Sequence, residues 1–536
     1  MKGNISMQKL YCELKNNIHI DSNAELEKAL YDIEKPLFIA KSEKGLCYSN
    51  EGIISTSKNT LELLGFAQAV STKTLGDKGF SSEYGVDYQY VGGSMAYGIS
   101  SANLVAELAK NKILAFLGTG GMNIEQVEEN IKKLKKELGD LPFGCNLIHV
   151  PSSADAENAQ VDLYLKYGVK IIEASAYITM TAPLVKYRAK GLKRLADGTI
   201  EEKTKIIAKA SRLEVAEKFL SPAPEEILSE LLAKGEITNE EAELARQLPI
   251  AWDLTAEADS GGHTDGRPAF ALFPSFVAVR DKLNIKYKKK IRVGFGGGIG
   301  TPFATASAFA MGASYIVTGS INHACVESGT SAEVKKMLAI AGQADTAIAP
   351  SADLFDIGGK VQVLKSGTMF PMRANKLLSY YNTYGSLEEI PKKDIEQIEK
   401  TIMRMSLDDV WKETQDFFKK RSPSQLEKAL QSPKYKMALV FRYYLGLASR
   451  WAINGDLSRK IDFQIWAGPA IGSFNEWCKG TFFAEPSERK VVQIAYNMLH
   501  GAAVIERINS LRHYGLELFS EIKIAPKRFD GGKLRQ

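Results

Sequence analysis

Short apolar runs recur through the first two thirds of the chain, with helical spacing between them. They fall at residues 88–91, 113–117, 143–148, 169–173, 206–209, 253–257, 291–295 and 315–317. Amphipathic helical patterns fill most intervals, as at 101–110, 124–138 and 158–167. Strands covered on both faces read as unbroken apolar runs, and strands alternating with helices predict a parallel sheet. Eight of them predict closure into a TIM (β/α)8 barrel, whose chemistry sits at the C-terminal ends of the strands. Ahead of the barrel, runs at 36–40 and 45–48 between turn signals predict a flanking β segment over residues 1–80. The barrel itself is expected over 81–345. The interval 209–253 is too long for one crossover helix. Ser221-Pro-Ala-Pro-Glu-Glu and the capping box Thr238-Asn-Glu-Glu241 each start a helix there, so a helical hairpin is expected beside the site. After residue 331 the strand pattern stops, and helical periodicity marks 333–341, 387–405, 407–420, 425–430, 435–451 and 488–511. An inserted helical cap subdomain is expected over 346–485, then a closing barrel helix and tail over 486–536.

Composition adds limits. At 536 residues the chain exceeds a minimal barrel, which fits insertions. The net charge of +6 is mild and dispersed; it suits an acidic partner without requiring one, and nothing calls for nucleic acid. Basic runs at 131–136, 288–290 and 419–421 read as solvated helix faces or loop ends. No stretch approaches the ~20 apolar residues of a membrane span, and the N-terminus lacks the apolar core of a signal peptide. Cys12, Cys47, Cys145, Cys325 and Cys478 lie far apart with no CxxC, which argues against a disulfide framework and against a zinc site. A cytoplasmic location and no bound metal are expected.

The chemistry clusters at the strand ends. After the seventh strand come Gly296, Gly297, Gly298 and Gly300, then a small-residue helix; the eighth strand ends in Thr318-Gly319-Ser320. Glycines let backbone N–H groups close on an anion, and in such barrels the loops after strands 7 and 8 often hold a phosphate. The first strand runs into Gly93-Ser94-Met95, small enough for a flat ring to lie on backbone. The third carries Asn146, an amide able to donate and accept. The fifth ends in Lys209, a lysine costly to bury without an anionic partner and able to stabilise negative charge on a reduced flavin. Past the sixth strand, Gly261-Gly262-His263 offers an imidazole as general acid, with Asp259 and Asp265 in position to orient it. His149 is a second, weaker choice, and Cys325 a remote nucleophile. A phosphate clamp, a flat floor, an amide, a lysine and a histidine together fit an FMN site.

These stretches are familiar. Residues 257–263 with GGGIG and Thr-Gly-Ser resemble the flavin-dependent nitronate monooxygenase superfamily, which also holds an FMN enoyl reductase. Leu75-Gly-Asp77, Glu173-Ala-Ser-Ala-Tyr177, the segment 257–265, segments 360–365 and 367–375, Asp462-Phe-Gln-Ile-Trp466 and Gly468-Pro469 resemble one branch. That branch is the PfaD-type trans-acting enoyl reductases of polyunsaturated fatty acid and polyketide synthases. The resemblance implies FMN and NADPH as cofactors, and an enoyl thioester on acyl carrier protein as substrate. It implies a phosphate held by Gly296, Gly297, Gly298, Gly319 and Ser320, with Gly93, Ser94, Met95, Asn146, Lys209 and Gly262 around the ring. His263 and Lys209 would be catalytic. Tyr97 stands where a small asparagine is usual in the branch. A stand-alone reductase is expected, with oligomer formation left open. Two other readings stand beside it: nitronate oxidation, and a non-catalytic scaffold that docks a carrier protein.

Overall fold

The computed structural model describes residues 9–20, 23–149, 154–516, 522–531 and 533–534. At its centre eight parallel strands close a barrel: β1 Tyr90–Gly92, β2 Leu114–Leu117, β3 Gly144–Ile148, β4 Ile171–Ser175, β5 Lys205–Ala210, β6 Asp253–Glu257, β7 Arg292–Gly296 and β8 Ile316–Thr318. Every strand pairs with its sequence neighbours, and β8 returns to β1 with Thr318 beside Gly92. The TIM-barrel reading holds.

Alternation along each strand sends every second side chain inward. The lower barrel is filled by apolar residues such as Phe116, Ile171, Ile207 and Tyr315, and the helix Lys78–Tyr84 plugs it from below. Phe80 of that helix stacks on Tyr315 at 4.4 Å, and Tyr84 donates to Asp253 Oδ2 at 2.7 Å. Buried Asp253 also takes two bonds from Arg292 at 2.8 Å. Gly294 makes room for the Tyr315 ring, since a Cβ there would meet it at 2.2 Å. Asp77 caps the plug helix by accepting from the Gly79 N–H at 2.6 Å. The Leu75-Gly-Asp77 stretch therefore serves the barrel floor, far from the strand ends that carry chemistry.

Two expectations are corrected. The helical hairpin forms, as Glu225–Ala233 and Asn239–Ala245 with the Thr238–Glu241 capping box, but not beside the site. It follows the crossover helix Leu213–Phe219 and so belongs to the connection leading back to the lower end of β6. Its stem is pinned by Ile250 N–H to Ser221 O at 3.0 Å, and Glu241 accepts from Gly191 N–H at 2.8 Å on the outer layer. Nor do the strands stop after residue 331. Thr346–Pro350 and Lys360–Leu364 pair antiparallel, and Gly262–His263 joins them with His263 opposite Val361. These strands are short and sit among polar turns, so helical periodicity on either side masked them. The helix Phe370–Thr383 was likewise unforeseen.

Helices α1 Leu407–Arg421, α2 Pro423–Gln431 and α3 Pro433–Asn454 pack together over the barrel mouth. Asp462, fully buried, ties this region down. It bonds Arg373, sits 3.2 Å from Arg459 and 3.4 Å from Arg404, and accepts from Tyr444 at 2.9 Å. The closing helix α4 Val491–Arg512 lies on Pro302–Ala310, where Gly501 permits contact: a Cβ there would stand 2.7 Å from Pro302. A six-stranded antiparallel sheet, from Tyr11–Lys15 to Leu61–Ala67, leans on α4 away from the mouth. The first eight residues, part of the N-terminus read above as lacking an apolar core, lie outside the described residues. Among the described residues, no helix is long and apolar enough to cross a membrane. All five cysteines are free and buried.

Candidate functional site

A cavity of about 1000 Å³ opens at the C-terminal ends of the strands and continues beneath the cap. Gly93, Ser94, Met95, Asn146, Lys209, Gly262 and His263 line it, as do Gly296, Gly297, Gly298, Gly319 and Ser320. The structure thus brings together around one cavity the residues that the sequence marked out for phosphate, ring and catalysis.

The cradle after β7 and β8 is built from backbone. Gly297 and Gly298 take φ of +86° and +74°, a region that side chains strain to enter. A Cβ on Gly297 would meet Ala258 carbonyl carbon at 2.7 Å, so the loop packs tightly from behind. At Gly298 and Gly319 nothing stands within 4 Å of a Cβ, and both face open cavity. Ser320 Oγ accepts the Gly468 N–H at 2.9 Å, which leaves its own O–H free to donate into the cavity. Gly468 thereby joins the cradle to the segment carrying Trp466.

The floor is the 93–100 loop pressed on the 118–121 loop. Gly98 N–H bonds Gly118 O at 2.8 Å and Gly118 N–H bonds Ser100 O at 2.9 Å. A Cβ on Gly118 would lie 1.7 Å from Met95 O, so only glycine fits. Tyr97, the residue that departs from the branch, holds φ +56° and stacks on Trp466 at 5.6 Å. Asn146 differs from expectation. Its amide donates to Glu173 O at 2.9 Å and to Ser175 Oγ at 3.1 Å, so both N–H groups are committed and only its carbonyl oxygen is left for a ligand.

Lys209 is not a lone cation. Its Nζ lies 2.9 Å from Glu257 Oε1 and 4.0 Å from Glu173 Oε2. Burial alone would lower its pKa; the carboxylates of Glu257 and Glu173 reverse this and hold it well above the usual lysine range. Glu173 is fully buried, accepts from Ser94 N–H at 2.9 Å and from the Ser94 hydroxyl, and keeps Oε1 without a partner. One lysine between two carboxylates is a preorganised network that fixes Ser94 and the floor together. Glu173 stands in one of the branch motifs, yet nothing in its spacing marks it as a partner of Lys209 and Ser94.

His263 is held by the small sheet that the apolar pattern did not reveal. Its Nε2 lies 3.0 Å from Asp353 Oδ1 and 3.1 Å from Ser351 Oγ, and Ser351 also bonds Asp353. Desolvation pushes the imidazole toward neutrality, but Asp353 outweighs it and the pKa rises above the usual 6.5. Asp353 in turn sits far below the ordinary carboxylate range, the His263 charge overcoming its burial. Asp259 and Asp265 do not orient His263. Asp265 is taken by Arg212, with bonds of 2.9 Å, and by Ser211, while Asp259 Oδ1 is buried without a partner.

The remaining candidates separate by burial. His149 bonds Glu157 at 3.2 Å and stacks on Tyr177, outside the cavity lining. Cys325 is completely buried and its thiol is pushed far up by desolvation, which rules out a ready nucleophile. His323, a histidine with no site-like context in the sequence, lines the cavity. Its Nδ1 must carry the proton given to Trp466 O at 2.9 Å, and burial lowers its pKa to about 4. Nε2 is therefore an acceptor, and it has no partner among the described residues. Ser260 Oγ and Asp259 Oδ1 are also orphaned at the cavity wall. Buried polar atoms without partners are rare in folded proteins, and three around one cavity call for a polar ligand. A group with a phosphate end, hydroxyls along its length and a flat ring meets this donor and acceptor set. Among the described residues, no three His, Cys, Asp or Glu side chains are placed to hold a metal ion.

Comparison with known proteins agrees with this geometry. The family model described as nitronate monooxygenase matches residues 84–354, and that of the inserted helical domain of [acyl-carrier-protein] S-malonyltransferase matches 384–463. A polyunsaturated fatty acid synthase polypeptide of Thraustochytrium sp. (strain ATCC 26185 / S-3) is 43% identical over 498 residues, 91% of this chain and 33% of that one. Polyketide biosynthesis protein PksE of Bacillus subtilis (strain 168) is 44% identical over 447 residues, 82% of this chain and 58% of that one. The chain thus spans between a third and three fifths of these relatives. The crystal structure of the enoyl reductase domain of MlnA, from the macrolactin biosynthesis cluster of Bacillus amyloliquefaciens, superposes with a TM-score of 0.77 at 41% identity, covering 83% of this chain and 99% of that one. The chain belongs to the nitronate monooxygenase family and, within it, to the PfaD-type enoyl reductases.

Proposed function

We propose that the chain is an FMN-dependent, NADPH-consuming enoyl reductase that acts in trans on α,β-unsaturated thioesters of an acyl carrier protein, serving a polyketide or polyunsaturated fatty acid synthase. The observation that carries this reading is His263, 3.0 Å from Asp353 and with its pKa raised above 6.5, on the wall of a cavity that the glycine loops after β7 and β8 also line. Reduction of an enoyl thioester needs a proton donor at the α-carbon, and an imidazolium is that donor at neutral pH. A base for nitronate oxidation would need the neutral ring, which Asp353 disfavours.

FMN, when bound, supplies two-electron hydride transfer between NADPH and the β-carbon of the thioester. Gly297, Gly298, Gly319 and the Ser320 hydroxyl would hold its phosphate. Gly93, Ser94, Met95 and the Asn146 carbonyl would meet its ring, and His323 Nε2 would accept a hydroxyl along its length. Lys209 would offset negative charge as the ring is reduced, with Glu257 and Glu173 keeping its ammonium in place. His263 gives its proton to the α-carbon, and Ser351 with Asp353 returns the ring to position. The cap closes over the barrel mouth and keeps water from the reacting carbons.

The test is a visible spectrum of the purified protein, recorded anaerobically with NADPH and then with a crotonyl thioester. A yellow protein that bleaches and recovers its colour only on adding the thioester fits the proposal. A protein that stays colourless after incubation with FMN would contradict it, as would one that turns over nitronates with oxygen but leaves the thioester untouched.

A further inference from the structure

The cap side of the cavity carries a charge pattern unlike the barrel side. Lys420 and Arg421 at the end of α1, and Arg442 and Arg450 on α3, all line it. Arg442 and Arg450 are eight residues apart and so share one face of α3, as does Gly446 midway between them. A Cβ on Gly446 would meet nothing within 4 Å, so this face looks onto open space. Among the described residues none of the four cations is in an ion pair. Arg442 donates to the neutral Gln425 Oε1 at 3.1 Å and lies over the Phe418 ring, and Arg421 lies over Phe417. Nearby lysines do find partners: Lys412 pairs with Asp409 at 2.9 Å and Lys419 with Asp416 at 3.3 Å. Of the residues of α1, α2 and α3 that line the cavity, the one carboxylate is Glu413, and it is occupied by the Tyr443 hydroxyl at 2.5 Å. The cluster also reaches toward the barrel: burial raises the Tyr97 phenol, and the charges of Arg450 and Arg421 pull it back.

Four unpaired cations from two helices, gathered at one end of a cavity, repel one another unless an anion sits among them. Arginine forks match phosphate oxygens in particular. The residues 419–421, read from sequence as a solvated helix end, thus divide: Lys419 is paired with Asp416, while Lys420 and Arg421, though exposed, stand on the cavity rim.

We propose that Lys420, Arg421, Arg442 and Arg450 form a phosphate-ester subsite that anchors one end of a long ligand while its other end reaches His263. The subsite rests on reading the cavity as the place where a thioester is reduced. Two ligands of that reaction carry such a phosphate: the phosphopantetheine arm of a carrier-bound thioester, and NADPH, whose 2′-phosphate distinguishes it from NADH.

Calorimetric titration of the FMN-loaded protein with pantetheine, 4′-phosphopantetheine, NAD+ and NADP+ separates them without any hydride transfer. The subsite predicts at least about tenfold tighter binding of one phosphorylated member over its unphosphorylated counterpart, and that pair names the source. In Lys420→Gln/Arg421→Gln, at two exposed positions, and in Arg450→Gln, the gain should shrink toward parity, while Arg450→Lys should keep most of it. Equal affinities within both pairs would overturn the proposal, as would a preference that survives all the neutral substitutions. If the preference is present but no crotonyl thioester is reduced, the subsite stands and the reductase reading falls. If the thioester is reduced and neither pair shows a preference, the reverse holds.

Discussion

The two halves of the cavity arrange their charges in opposite ways. On the barrel side Lys209 lies between Glu257 and Glu173, Asp253 below is bonded to Arg292 and Tyr84, and His263 faces Asp353. On the cap side Lys420, Arg421, Arg442 and Arg450 have no carboxylate partner among the described residues. Paired charges hold a geometry fixed before any ligand arrives, which is what positions a proton donor. Unpaired ones are free to be matched by a ligand's own charge, which is what captures a substrate. On the proposed function, chemistry belongs to the first half and recognition to the second.

Breaking the first half should cost most. His263→Ala is expected to slow reduction of a crotonyl thioester by about 10²–10⁴-fold, measured in steady-state turnover. Lower in the barrel, Asp253→Ala leaves Arg292 buried without its partner and should destabilise the protein by about 3–5 kcal/mol in urea unfolding. The same measurement on Arg421→Gln should stay within about 0.5 kcal/mol of the parent, because no pair is broken. A smaller effect tests the cradle. A Cβ at Gly298 meets no protein atom within 4 Å, so the expected signature of Gly298→Ala is a lower FMN content on purification, beyond the ~1–2 kcal/mol of a side chain at positive φ.

The subtlest effect is on pH. His263 has a raised pKa, so the protonated ring is present at low pH and is lost as pH rises through that value. Asp353 has a lowered pKa, so the pair persists on the acid side until the pH falls far below 3.8. Thioester reduction should therefore fail on an alkaline limb above 6.5. In Asp353→Asn the main influence that raises the pKa is gone while desolvation and Lys209 still lower it, and the limb should move to lower pH in a pH–rate profile.

The barrel was legible because burial on both faces writes each strand as an apolar run, and 253–257 coincides with β6 to the residue. The glycine loop after β7 was legible because Gly297 and Gly298 hold positive φ angles that favour glycine. Partners were not. Asp353 lies ninety residues from His263, and they meet through a strand pairing in which Gly262–His263 contributes two residues, too few to show any period. The hairpin after Phe219 was legible as helices, but its place depended on which end of the barrel the insertion left from. Lys209 was found as an anomalous charge, while Glu173 and Glu257, which explain how it is buried, look like ordinary strand-end residues. The runs at 360–364 and 462–466 matched the family as motifs, yet their work is to build the sheet behind His263. A helix-end cluster such as 419–421 has the same sequence whether it faces water or a cavity.

The most direct test is a single anaerobic turnover. The FMN-loaded protein, reduced with one equivalent of NADPH, is mixed with a crotonyl thioester while its visible absorbance is followed. Rapid return of the oxidised spectrum in the parent, and a return slower by about 10²–10⁴-fold in His263→Ala, is the predicted result. An equal rate in both proteins would remove His263 from the chemistry and contradict the account.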